Sequence, residues 1–279
     1  MLTTEGSKIS QCVIASILLL TGTCAGTCAN AQTTSGCEGP PLIAAYKKGN
    51  WTEAISLSER CVAYQKTQSP AQSVYYLNAG EMRSLNIVTA FSRLLSLAQI
   101  HASLGHHQQA KAALDDANAW AQKYQFENDN SPLLNGAGYL KLTRGYLLES
   151  IKDRKAATAL YRQSNTEYAE ARLALFAFEE GRLDDAMDLT QGPLLKESKN
   201  PLVFAVRAEV ERSRGNLDAA RNNYINALKG FDIGPNPVMA IFFLDRERIL
   251  SGAARLGVKT SSGPNNSFDR RPDESRSFL

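Results

Sequence analysis

The chain has 279 residues, 43% hydrophobic and 21% charged, a composition that excludes both a disordered tail and a multi-span membrane protein. Its 31 basic and 28 acidic side chains leave a net charge of +3, too small to point to nucleic acid as a partner. Three histidines and five cysteines are few enough to be taken one by one.

The N-terminus reads as an address. Lys8 precedes an apolar run over 12–20, and small and polar residues then lead to Ala29-Asn30-Ala31. A positive end, a short apolar stretch and an A-x-A site are the order of a secretory signal peptide. The run is too short for a bilayer-spanning helix, which needs about 20 residues. The expectation is cleavage after Ala31, a signal over 1–31, a mature chain that is periplasmic or secreted, and no stable membrane span after cleavage. A structural helix is the alternative. Lipidation at Cys24 or Cys28 is another, although the leucine usual three residues before such a cysteine is replaced by Thr21 and Ala25. Removal of the signal takes Cys12, Cys24 and Cys28 with it. Cys37 and Cys61 remain, a natural pair in an exported chain.

Downstream the chain repeats. An apolar helical stretch, a turn, and an alanine five residues after the turn recur at Gly49/Ala54, Gly105/Ala110, Lys152/Ala157, Gly181/Ala186 and Gly215/Ala220. Glycine at the turn takes positive φ at little cost and ends the first helix. Thr52 and Asp218 are expected to cap second helices. The alanines keep the two helices of a hairpin close, and Ala98, Gly145, Ala174 and Ala208, seven before their turns, do so from the other side. Tyr161 and Tyr224, nine after, are expected to fill the space between hairpins. The turns lie 56, 47, 29 and 34 residues apart, so the early copies are interrupted. An extra helix is expected over 69–83, started by Ser69-Pro70, and a polar loop over 126–138. After Gly234-Pro235-Asn236-Pro237, a last helix over 238–256 places Val238, Phe242, Ile249, Ala253 and Leu256 on one face, interrupted by Arg246. The Ser-, Gly-, Pro-, Asn- and Arg-rich stretch 258–279 reads as a disordered tail.

These five copies, over roughly 38–231, resemble the tetratricopeptide repeat, a helix hairpin of about 34 residues. The fifth matches best: Pro201 opens it, and Ala208, Gly215, Ala220, Tyr224 and Ala227 stand at family positions. The resemblance implies an all-α fold, a right-handed superhelical solenoid of about five hairpins over 32–257, with the last helix capping its exposed end. It also implies a concave groove, lined by the first helices, in which a protein or peptide binds. Mapped from the turns, the groove set is Gln99, Tyr139, Leu142, Tyr146, Glu149, Tyr168, Phe178, Glu179, Glu209 and Arg212. Four are aromatic, and aromatic rings give large contact area at low entropic cost. Three glutamates against one arginine make the set mildly acidic, unlike the basic carboxylate clamp of some relatives.

Cys37 and Cys61 each lie 12 residues from Gly49, at equal height on the two arms of the first hairpin, which predicts a disulfide across its open end. His101, His106 and His107 are candidate metal ligands by type, but they cluster at a turn without an H-E-x-x-H frame, so no metal is expected. Asp115-Asp116, Glu179-Glu180 and Asp184-Asp185 are sequence neighbours, about 100° apart on a helix, and do not share a site. No G-x-S-x-G, P-loop or G-x-G-x-x-G occurs. The reading is a non-enzymatic binding scaffold of the bacterial cell envelope, without cofactor, its ligand a protein or peptide. One alternative is an assembly factor related to the tetratricopeptide lipoproteins of outer-membrane protein insertion. The other is a metal-binding protein or enzyme built on the histidines.

Overall fold

The structure, a computed structural model, describes residues 37, 39–67, 74–78, 81–125, 135–233 and 239–259. The signal over 1–31, its cleavage site, Cys24, Cys28 and the tail from Thr260 lie outside the described residues.

The packed part of the chain is helical. Five hairpins follow one another: α1 (Gly39–Lys48) with α2 (Trp51–Thr67), α3 (Leu85–Ser103) with α4 (His107–Lys123), α5 (Gly136–Ser150) with α6 (Arg154–Ser164), α7 (Glu167–Glu179) with α8 (Leu183–Gln191), and α9 (Pro201–Ser213) with α10 (Leu217–Ile233). The second helix of each hairpin packs on the first helix of the next. Two short helices close the series, α11 (Ile241–Leu244) and α12 (Arg246–Arg255).

All five expected turns have positive φ: +68° at Gly49, +77° at Gly105, +68° at Lys152, +76° at Gly181 and +82° at Gly215. Each closes with the same two backbone bonds. In the fifth, Gly215 N donates to Arg212 O at 3.0 Å and Asn216 N to Glu211 O at 2.9 Å. This pairing satisfies carbonyls that a helix end otherwise leaves open. Only Lys152 does this with a β-carbon. The alanines five residues on, Ala54, Ala110, Ala157, Ala186 and Ala220, are all 0% exposed, as their helix-spacing role requires. Tyr161 and Tyr224 are buried as expected. A β-carbon at Gly145 would stand 2.7 Å from the Tyr161 ring, so the small residue and the large one occupy a single shared space.

Several local expectations are corrected. Thr52 and Asp218 are not caps. The residue directly after the turn position is the cap: Asn50 Oδ1 accepts from Glu53 N at 3.3 Å, and Asp153 Oδ1 from Ala156 N at 3.1 Å. Once the turn residue has taken φ > 0, the next residue already leads into the second helix, and Asp218, inside it, pairs with Arg221 instead. The described residues of the stretch 69–83 do not form the expected extra helix. Val74–Asn78 and Glu81–Ser84 form an antiparallel pair, with Val74 opposite Ser84 and Tyr76 opposite Met82. The run Val74-Tyr75-Tyr76 has strand-forming residue types, and they outweigh the helix start suggested by Ser69-Pro70, which lies outside the described residues. The loop expected over 126–138 ends earlier, because Asn135 caps α5 by accepting from Gly138 N at 3.0 Å. Residues 126–134 are outside the described set.

The expected single last helix is broken at Asp245. Its second half, α12, covers the fifth hairpin, with Gly252 against Tyr224 and with Ile249 and Ala253 buried. Its first half, α11, turns away and packs on α3. Phe243 thereby enters one core cluster with Tyr46 of α1 and Phe231 of α10, joining the first hairpin to the last.

At the open end of the first hairpin, the Sγ atoms of Cys37 and Cys61 are at bonding distance, 2.09 Å, as their equal distance from Gly49 predicts. Gln65 Nε2 donates to Cys37 Sγ at 3.1 Å.

Candidate functional site

Residues 239–248 lie along several of the side chains mapped to a groove. Ala240 N donates to Ser96 Oγ at 3.3 Å, and Ile241 N to Gln99 Oε1 at 3.1 Å. Gln99 is fully buried and turned by its own amide, whose Nε2 donates to Thr143 Oγ1 at 2.9 Å. A glutamine held at one end and offering an oxygen at the other is a ready acceptor for a chain segment, because an unpaired buried amide is costly.

Two rings follow. Phe242 meets Tyr168 edge-on, with centroids 6.2 Å apart, and Phe231 at 6.1 Å. Phe243 lies 5.6 Å from the Tyr46 ring and 5.9 Å from that of Phe231. Such pairs add to the area they bury.

Beyond the rings is a buried charge cluster. The Arg172 side chain is 4% exposed, with Nη1 3.3 Å from Glu149 Oε1 and Nη2 2.7 Å from Asp245 Oδ2. Its guanidinium stacks 4.9 Å over the Tyr146 ring. Burial by itself lowers the pKa of this group, but Asp245 and Glu149 outweigh it and hold the pKa well above the ordinary arginine value. Glu149 also accepts from the Tyr161 hydroxyl at 2.6 Å. Burial pushes the Tyr146 phenol upward against the opposing pull of Arg172, and burial and then Glu149 push up that of Tyr161, which stays protonated and donates to Glu149.

The remaining groove candidates divide. Glu179 is exposed at the rim, with Arg248 Nη2 at 2.6 Å and Arg154 Nη1 at 3.0 Å. Phe178 and Glu209 face Arg248 and Ile249 across a cavity of about 20 Å³, too small for a side chain. Glu209 accepts from the Tyr224 hydroxyl, and from Arg212 Nε at 2.8 Å. Leu142 is fully buried in the core. Tyr139 packs half-buried against that core, its phenol pushed up by burial and by Glu167. Gln99, Tyr168 and Glu179 thus meet residues 239–248 directly, and Tyr146 and Glu149 meet them through Arg172.

Sequence reasoning gave no sign that residues 239–248 pack along these side chains. It also missed Arg172, the centre of the cluster. Its signal was present: a lone arginine inside the otherwise small and apolar stretch Ala171-Arg172-Leu173-Ala174-Leu175. Ser96 carried no such signal.

The histidines sit elsewhere, at the second hairpin's turn. His101 Nδ1 is 3.5 Å from His106 Nδ1, and His107 Nδ1 is 3.5 Å from Ser150 Oγ. Among the described residues, no three His, Cys, Asp or Glu side chains are grouped to hold a metal ion. No helix among them is long and apolar enough to cross a membrane. No protein-family model matches this chain, and no curated protein matches it in sequence.

Proposed function

We propose that the chain is a tetratricopeptide-like α-solenoid of the bacterial cell envelope, exported by cleavage after Ala31. It acts as a non-enzymatic scaffold that binds a protein or peptide on its inner face. The observation that carries this reading is that residues 240–245 pack along side chains of the first helices. Ser96 and Gln99 accept backbone N–H groups from them, a contact any chain can make, while Tyr46, Tyr168 and Arg172 read side chains. The five equivalent turns support the repeat assignment, and the Cys37–Cys61 pair is consistent with an oxidising compartment.

The test is site-specific photo-crosslinking in a bacterial envelope extract. A crosslinker at Glu179, on the rim of the inner face, is expected to capture a partner that one at Lys155, on α6, does not. Capture through Lys155 alone moves binding to another face, and no capture from either position ends the scaffold reading.

A further inference from the structure

We propose that the inner face selects a partner segment with two consecutive aromatic residues and a carboxylate two positions after the second, and that Phe242-Phe243-Leu244-Asp245 is the chain's own copy of that ligand. The inference rests on the scaffold reading and names the chemistry of its partner.

The recognition has three parts, and each leaves something unsatisfied when the segment departs. Ser96 Oγ and Gln99 Oε1 lose backbone donors, which any incoming chain restores. The space beside Tyr46, Tyr168 and Phe231 loses two rings, which small or β-branched residues do not refill. Arg172 loses one of its two carboxylates and keeps Glu149, which it shares with the Tyr161 hydroxyl. Arg172 still has Glu149 as countercharge, but its guanidinium loses the Asp245 acceptor, and this is the most demanding of the three, because apolar contact cannot satisfy a buried guanidinium N–H and a carboxylate is its strong partner. The replacement must therefore carry a carboxylate at the position of Asp245. The resident segment is a short helix separated from α12 by the break at Asp245, and Gly234-Pro235-Asn236-Pro237 lie in sequence between it and α10.

Tethering explains how the site stays closed. A segment joined by a short linker acts at an effective concentration of about 1 mM, so a free segment of equal affinity at 1 µM is outcompeted about 1000-fold. A partner gains access when it brings further contacts or when the tether is lost.

The experiment keeps the full chain. Residues 234–237 are replaced by a protease recognition sequence, the protein is purified folded, and the linker is cut. A labelled synthetic peptide with the sequence of residues 238–257 is then followed by fluorescence anisotropy. The cut protein should take up the peptide at a concentration at least ~100-fold below that needed by the uncut one. Asn at the position of Asp245 should weaken uptake about 10-fold or more, since hydrogen bonds between charged groups are the strong ones. Alanine at both Phe positions should abolish it.

If the cut protein stays folded by circular dichroism but takes up no peptide, the segment is fixed core and the inference fails, while crosslinking from Glu179 still judges the scaffold reading. If the Asn peptide binds as well as the Asp peptide, carboxylate selection fails alone. If cutting unfolds the protein, the uncut Asp245→Asn chain decides. Hydrogen exchange at Ala240 and Ile241 should rise ~10-fold while α4 is unchanged, and no rise overturns the inference.

Discussion

Gly145 and Tyr161 show how a single atom can matter in this array. The ring carbons of Tyr161 stand 2.7 and 2.9 Å from where a β-carbon on residue 145 would be. Gly145→Ala gains about 1 kcal/mol of helix propensity but overfills a closed space, at about 1–3 kcal/mol. It also pushes the Tyr161 hydroxyl off Glu149, and with it one support of Arg172. A net loss of stability of about 1–2 kcal/mol in denaturant unfolding is expected. His101 makes a different residue-scale prediction. Burial, then His106, lower its pKa from the ordinary 6.5, with Glu59 opposing them. The folded state therefore favours the neutral ring. Its contribution is fully present above pH 6.5 and is lost as the pH falls from 6.5 through the lower folded value. Unfolding midpoints measured across that interval should fall with acid in the native chain, and less steeply in His101→Gln.

The hairpin is where the sequence was most legible. Its signals are local: a residue that accepts φ > 0, an alanine five later and a small residue seven before. All three follow from helix geometry within about 20 residues, so a single copy contains its own explanation. The cap residue was misplaced by two positions because side-chain type identifies candidates, while the turn's backbone decides which of them is first. The antiparallel pair Val74–Asn78 and Glu81–Ser84 was misread for a related reason. One proline suggested a helix start, and the aromatic and β-branched run beyond it decided the outcome. The Cys37–Cys61 bridge was legible because equal distance from a turn is a geometric statement. Closing a loop of 24 residues' separation, it is expected to contribute about 3.5 kcal/mol. Reduction should lower amide protection in α1 and α2 well before that in α5 and α6, which hydrogen exchange with and without reductant would resolve.

For the whole molecule, the sequence suggested an open array with a capped end, whereas residues 239–245 pack back onto α1, α3 and α7. That return depends on pairs such as Ala240 with Ser96, 144 residues apart, and Asp245 with Arg172, 73 apart. No local periodicity records such pairs, and the break at Asp245 that makes them possible looked like a flaw in an amphipathic stripe. Phe243 is 0% exposed and touches rings from α1 and α10. Phe243→Ala should cost about 3–5 kcal/mol. The loss should be shared by the first and last hairpins, with α1 and α10 losing protection together.

The order in which a ribosome delivers these residues gives the closure a history. Hairpins two to four are synthesised well before residues 239–245, so a growing chain carries Gln99 and Arg172 without their final partners and Tyr46 without its covering ring. Contacts that span most of a chain form late and slowly. Until residues 239–245 are in place, those side chains lack the groups that cover them in the folded chain, and exposed apolar surface of that kind is prone to aggregate.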